Sequence, residues 1–273
     1  MAPDFVFHIR NAHPADMAAV LATLMENPRL ETIADIVSAA EVLGYSIRDR
    51  QRLEALVTAR DLGLVSSHNN TLLPAGRALA ELETRNPDLF IDAVHGLQYS
   101  LWDRRCPKEY CFSWSYRLIC QDFWSSGTRE LNDIRRNTAS EIESQARQLF
   151  GLSDVVISPK SVGGALLWLS ELRPSVIDES QNWFKRRVFC APELFVMGIN
   201  FVYREKELDY GSNLLLNDEC RDEICRFCLL DPAGFERVLD YAVTQFDFLE
   251  KGLGGGWGRY LTLHRALHLE DFV

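Results

Sequence analysis

The sequence predicts a mainly α-helical protein with small β-hairpins, and three observations lead to that fold class. Apolar residues recur at three- and four-residue spacing through most of the chain, as in amphipathic helices. Helix-ending residues such as Pro28, Gly44 and Pro87 separate these stretches. Hairpin signals are confined to a polar turn at 66–70 and a glycine-rich stretch at 252–258, each between short apolar runs.

The first part of the chain is predicted to contain three helices followed by a hairpin. The helices run from Pro14 to Met25, from Leu30 to Leu43, and from Ser46, as the N-cap, to Leu62. Two short apolar runs within 64–73 read as strands around the polar turn, and Pro74 begins another helix. A further short strand is predicted from Phe5 to Ile9, where apolar and polar residues alternate.

This order of elements resembles the winged helix-turn-helix superfamily over about residues 14–82. Residues 62–65, the polar turn and residues 71–76 are similar to the wing of bacterial regulators in that superfamily. The resemblance implies that the helix at 46–62 enters the major groove of DNA, while the wing at 64–73 lies along the backbone. It also implies DNA contacts from Ser46, Arg48, Arg50, Gln51, Arg52, Thr58, His68, Asn69 and Asn70.

The net charge of −10 argues against nucleic-acid binding, since such proteins generally carry a basic surface. Its distribution weakens that objection. Residues 205–250 hold 12 acidic and 4 basic residues, so most of the negative excess lies near the C-terminus. Residues 46–60 hold four arginines against two carboxylates, and the predicted reading helix is therefore locally positive.

A second domain is predicted at 88–180, after a first domain at 1–87. Its aromatic and basic stretch at 104–147 suits either a helical core or stacking on unpaired bases. A helix capped by Thr138 or Ser140 and ending at Phe150, followed by one that Ser158 caps, gives a second helix-turn-helix. The exposed start of that last helix would present two more DNA-binding candidates, Lys160 and Ser161.

The third predicted domain, 181–273, is acidic and mainly helical, and it ends in a hairpin at 248–263. Residues 195–203 suit either a strand or a buried helix. Helices are predicted after Asn217 or Asp218 and after Asp231. A basic cluster near the start of this domain suits a phosphate backbone, an acidic partner or a solvated face, and it comprises Lys185, Arg186 and Arg187.

Two groups of residues invite comparison with metal sites. Cys220, Cys225 and Cys228 have the spacing of plant-type iron–sulfur ligands, but no cysteine follows them, and Cys190 precedes them. The position of Cys225 and Cys228 on a predicted amphipathic helix favours their burial as small apolar side chains. The other group lacks a paired CxxC motif and comprises His95, Cys106, Cys111 and Cys120. We therefore predict no metal and no cofactor.

The remaining sequence signals bear on location and function. The first ten residues lack a secretory signal, and no apolar run approaches the length of a membrane span. The seven cysteines are odd in number and do not suggest a disulfide framework. A cytoplasmic location without membrane contact is therefore expected. No HExxH, GxSxG, GxGxxG or Walker motif is present, which favours a non-enzymatic protein. The leading prediction is binding of duplex DNA. The alternative is an interaction subunit of a bacterial DNA-processing, transcription or antiviral-defence complex, with winged helices as scaffolds and a protein partner or homodimer on the helical and acidic C-terminal regions.

Overall fold

The fold comes from a computed structural model that describes residues 6–127, 129–152, 155, 157, 159–178, 180, 182–256 and 258–273. Within these ranges the chain forms eleven α-helices and six short strands, and the strands make two small antiparallel sheets. The predicted fold class, mainly helical with small hairpins, is confirmed.

The N-terminal part contains four helices, α1 (Pro14–Glu26), α2 (Ile33–Val42), α3 (Glu54–Asp61) and α4 (Pro74–Arg85). Helix α2 starts three residues later than predicted because the Thr32 side chain accepts a hydrogen bond from the backbone N–H of Asp35. Gly44, predicted to end this helix, does so with a left-handed φ of 87°. The hairpin after α3 contains a single antiparallel bridge between Val65 and Leu72.

The middle of the chain combines helices with the first sheet. Its elements are α5 (Pro87–Ser100), α6 (Cys111–Ser126), β1 (Arg129–Glu130), α7 (Leu131–Phe150), α8 (Pro159–Glu171), β2 (Ile177–Asp178) and β3 (Trp183–Phe184). Strand β3 lies between β1 and β2 and pairs antiparallel with both. Helix α7 begins well before the predicted caps. Thr138 lies inside it and donates its hydroxyl hydrogen bond to Asp122, while Ser158 lies outside the described residues.

The C-terminal part holds the second sheet. Its elements are α9 (Pro192–Glu205), β4 (Asn213–Leu215), α10 (Asp218–Cys228), a 3₁₀ turn (Pro232–Gly234), α11 (Phe235–Gln245), β5 (Leu249–Gly254) and β6 (Gly258–Leu263). Strand β6 lies between β4 and β5. The choice left open at 195–203 resolves as helix α9. The predicted Asn217 cap is confirmed, because its side chain accepts from the backbone N–H of Cys220 at 2.8 Å.

The buried apolar residues form one continuous cluster that draws on all three parts of the chain. Most aromatic side chains of the 104–147 stretch lie inside it, including Trp114, Tyr116, Phe123 and Trp124. Tyr110 and Phe112 are more exposed. The division at 87 and 180 therefore stays a prediction, since the packing does not separate the parts.

An irregular segment, residues 6–13, connects the N-terminal and middle parts of the fold. The strand predicted here is wrong for residues 6–9, and Phe5 lies outside the described residues. The Phe7 ring packs edge-on against Trp114 and Phe150, with centroids 5.8 and 5.2 Å away. The ring of His8 is hydrogen-bonded to the hydroxyl of Ser161 at 2.8 Å. This segment therefore packs on α6, α7 and α8.

Candidate nucleic-acid interface

The predicted reading helix begins eight residues later than expected. Residues 46–53 form an irregular connection, here called the arginine loop, and α3 starts at Glu54. Asp49 accepts from the backbone N–H groups of Arg52 and Glu54, at 3.1 and 3.4 Å, and this caps the start of the helix. Leu53 has a left-handed φ of 47° and is completely buried, so the helix does not extend through it.

The arginine loop is nevertheless anchored to the protein. Asp16 of α1 accepts from the backbone N–H of Arg48 with both carboxylate oxygens, each at 3.3 Å. Ile47 and Leu53 are buried at either side of that contact. The anchoring leaves five predicted DNA-binding side chains exposed together, those of Ser46, Arg48, Arg50, Gln51 and Arg52.

The charge of the arginine loop is positive on balance, with three arginines and Asp49. Arg50 forms an ion pair with Glu41 at the end of α2. Among the described residues no carboxylate forms an ion pair with Arg48 or Arg52. Two guanidinium groups of the loop are therefore available to a phosphate or a base edge.

The wing tip, residues 66–71, follows α3. It is closed by a 2.8 Å hydrogen bond from the Ser66 N–H to the carbonyl of Thr71. His68 and Asn69 are exposed, as expected for DNA contacts. Asn70 is buried, and its amide donates to the carbonyls of Leu30 and Glu31 while its oxygen accepts from Arg60. Asn70 therefore fixes the wing tip to α3 and to the residues just before α2, and its side chain has no group left for a ligand.

Helix α3 itself presents little positive charge. Thr58, predicted to face outward, is buried and donates its hydroxyl hydrogen bond to the carbonyl of Glu54. Both acidic ends of the helix bind Arg10, which lies 2.8 Å from Asp61 and 3.3 Å from Glu54. The predicted DNA-binding side chains that remain exposed are thus those before α3 and after it.

The predicted second reading helix, α8, is covered at its start. Lys160 is exposed, but Ser161 is buried and bonded to His8. A Cβ atom at Gly164 would lie 2.6 Å from the carbonyl oxygen of Ile9, so the backbone of residues 6–13 lies directly on the helix. Of the two DNA-binding candidates on this helix, Lys160 is therefore accessible and Ser161 is not.

The basic cluster at 185–187 does not form one surface. Lys185 is exposed, whereas the Arg186 guanidinium lies over the Trp124 ring at 4.1 Å and donates to the Trp124 carbonyl. Arg187 is completely buried and donates to Asp92 at 2.8 Å and to the Cys228 carbonyl at 2.7 Å. Burial raises the pKa of Asp92, and the charge of Arg187 opposes that shift. Arg187 is therefore part of a core ion pair.

Cys225 and Cys228 are buried, as predicted, and two further cysteines of the same part of the chain are buried with them. Cys190, Cys220, Cys225 and Cys228 lie in the core, and burial raises the pKa of Cys220 and Cys225 to about 12. His95 is buried as well, with its two ring nitrogens 2.8 Å from the Tyr116 hydroxyl and the Phe227 carbonyl. No group of three metal-ligating side chains occurs among the described residues.

Sequence reasoning missed the apolar residues beside the arginine loop. Val42 is 87% exposed and Leu43 is 43% exposed, at the end of α2. It also missed the role of Asp16, which anchors the loop from 32 residues away. No local signal identifies that contact, because an aspartate in the first turn of a helix is ordinarily explained by the helix dipole.

Comparison of the chain with protein-family models, with curated proteins and with solved structures finds no match. None of the helices in the described ranges is long and apolar enough to cross a membrane. The support for the arginine loop and the wing tip as a candidate nucleic-acid interface is therefore their own geometry.

Proposed function

We propose that this protein binds duplex DNA without catalysing a reaction, through the arginine loop and the wing tip of an N-terminal winged helix. The observation that carries the proposal is the joint exposure of Arg48, Arg50 and Arg52 on a loop whose backbone Asp16 and Asp49 hold in place. Three exposed guanidinium groups on a fixed backbone suit phosphate oxygens and guanine edges, and two of them, those of Arg48 and Arg52, form no ion pair within the described residues.

The order of elements supports the winged-helix assignment. Helices α1, α2 and α3, a minimal hairpin and α4 follow one another, as in the sequence-level resemblance. A second copy is proposed at 111–184, where α6, β1, α7, α8, β2 and β3 succeed one another with β3 in the middle of the sheet. Its α8 is covered by residues 6–13, so we assign DNA contact to the first copy and a scaffold role to the second.

The spacing of the two exposed segments also fits a duplex. They flank α3, whose eight residues give a length of about 12 Å at 1.5 Å per residue. The major groove of B-form DNA is about 12 Å wide. The arginine loop would therefore contact one side of the groove while His68 and Asn69 of the wing tip contact the other.

The test is a fluorescence-anisotropy titration of a labelled duplex over a series of salt concentrations. The variant replaces Arg48, Arg50 and Arg52 with glutamine. Each lost phosphate contact lowers the slope of log K against log salt by about 0.9, so the variant should lose up to about 2.7 in slope. The matched control is Arg237→Gln, which removes an exposed arginine from α11. Absence of binding at low salt, or an unchanged slope in the triple variant, refutes the proposal.

A second candidate function is that of an interaction subunit. It is favoured by exposed apolar side chains in the acidic C-terminal part, where Val188 is 63% and Leu253 is 78% exposed. This alternative is supported if the purified protein carries no DNA but does carry a stoichiometric protein partner. The partner should be lost in the Leu253→Asp variant.

A further inference from the structure

A cleft of about 290 Å³ lies beside the proposed DNA-binding surface, between residues 6–10, α3 and the connection that precedes α6. We call it the Tyr110 cleft. It combines cationic and aromatic side chains, and the residues that matter here are Arg10, Arg60, Asp61, Lys108, Tyr110 and Phe112. Its size and lining suit a single small planar ligand with a negative charge.

The cleft has positive charge that the protein does not neutralise. Arg10 is paired with both Glu54 and Asp61. Arg60, by contrast, donates to the neutral amide oxygen of Asn70, and its Nε atom is buried without a hydrogen-bond partner in the described part of the chain. Lys108 is exposed, and no ion pair involves it within the same residues. Arg60 and Lys108 can therefore both receive an anionic group.

The other side of the cleft is aromatic. Tyr110 is 43% exposed and has a left-handed φ of 53° at the N-cap position of α6. Its ring meets that of Phe112 at 76°, with centroids 6.3 Å apart. An exposed aromatic ring beside two cations provides the two features that a nucleotide requires, a stacking surface for the base and donors for the phosphate.

The cleft is connected to the wing tip through one residue. Arg60 lines the cleft and also donates to Asn70, which holds the wing tip on α3 and on the residues just before α2. A duplex that lies along the wing tip would therefore end or branch next to the cleft. A base inside a duplex is stacked on both faces and has none left for Tyr110, whereas an unpaired base beside the duplex can expose one.

We propose that the Tyr110 cleft binds one unpaired nucleotide adjoining a duplex, with the base against Tyr110 and its phosphate at Arg60 and Lys108. This inference rests on the proposed DNA-binding function and narrows its substrate to duplexes with a single-stranded overhang or branch.

The test compares three labelled DNAs by fluorescence anisotropy, namely a blunt duplex, the same duplex with a short single-stranded overhang, and the single strand alone. The wild-type protein should bind the overhang duplex about tenfold more tightly than the blunt one, since one base stack is worth roughly that factor. Tyr110→Ala and, separately, Lys108→Gln should reduce this ratio towards one. Tyr241→Ala removes an exposed tyrosine from α11 and is the control that keeps the ratio.

The outcomes separate the two proposals. The nucleotide-binding proposal for the Tyr110 cleft is refuted if the protein binds the blunt duplex and the overhang duplex equally well. It is also refuted if Tyr110→Ala and Lys108→Gln both keep the preference for the overhang. Neither result contradicts the proposed duplex binding. Binding of the single strand alone, sensitive to Tyr110→Ala, supports the cleft and overturns duplex binding. Lack of binding to all three DNAs overturns both. Lys108 is exposed, so its variant remains informative if the Tyr110 variant fails to fold.

Discussion

The buried ion pair between Asp92 and Arg187 gives the largest predicted effect of a single substitution on stability. Their side chains are 3% and 0% exposed, and Arg187 Nη1 lies 2.8 Å from Asp92 Oδ1. Removal of the carboxylate in Asp92→Ala leaves a guanidinium in the core with no opposing charge. Breaking a buried pair in this way typically lowers the free energy of unfolding by about 3–5 kcal/mol.

This loss is a large fraction of the total stability of an ordinary protein, about 5–15 kcal/mol. In a chain of this size we expect the melting temperature to fall by roughly 10 °C. The melting temperature can be measured from the far-ultraviolet circular dichroism signal of α-helices, because most of the ordered chain is helical. Glu236→Ala is the control, since its pair with Arg259 is about half exposed on both sides and contributes less than about 1 kcal/mol.

A double variant separates charge from packing. Asp92→Leu together with Arg187→Met fills a similar volume with apolar atoms and removes both charges. The double variant should be more stable than Asp92→Ala, because no buried charge remains unpaired. The reasoning is refuted if Asp92→Ala loses no more stability than Glu236→Ala, or if the double variant is the least stable of the three.

Two further predictions concern His95 and a pair of glycines. Burial lowers the pKa of His95 from 6.5 to about 3, so below pH 6.5 the unfolded chain binds a proton that the folded chain does not. As the pH falls from 6.5 towards 3, the free energy of unfolding should therefore fall by about 1.4 kcal/mol per pH unit. In His95→Gln, the free energies of unfolding from urea titrations should change less steeply with pH, by this amount. Equal slopes would contradict this assignment. Gly164→Ala should lower stability by about 1–3 kcal/mol because its Cβ would meet the Ile9 carbonyl oxygen, whereas at Gly163 the nearest atom is 3.9 Å away and alanine should be neutral or stabilising. Thermal unfolding of both variants checks this, and similar losses at the two positions would contradict it.

The helices were predictable where local chemistry determines their ends. Gly44 and Asn217 terminate or cap helices through contacts within a few residues, and these signals are visible in the sequence. The arginine loop was not predictable in the same way. Its apolar residues suit a helix, but Asp49 and the distant Asp16 bind its backbone and hold it in another conformation.

The candidate site shows the same division between local and distant causes. Exposure of Arg48 and Arg52 follows from residue type. The burial of Asn70 and Arg187 does not, because each satisfies partners that lie far away in sequence, at Leu30 and at Asp92. A polar side chain that suits DNA also suits a buried carbonyl or carboxylate, and sequence alone does not distinguish these two uses.

The packing of residues 6–13 on α8 has a consequence for the order of events during biosynthesis. His8 and Ser161 are separated by 153 residues, and translation at about 5–20 residues per second places roughly 8 to 30 s between their appearances. During that interval His8 and Ile9 have no native partner on α8, and long-range contacts of this kind form slowly. The start of the chain should therefore acquire its native structure after the middle has been synthesised.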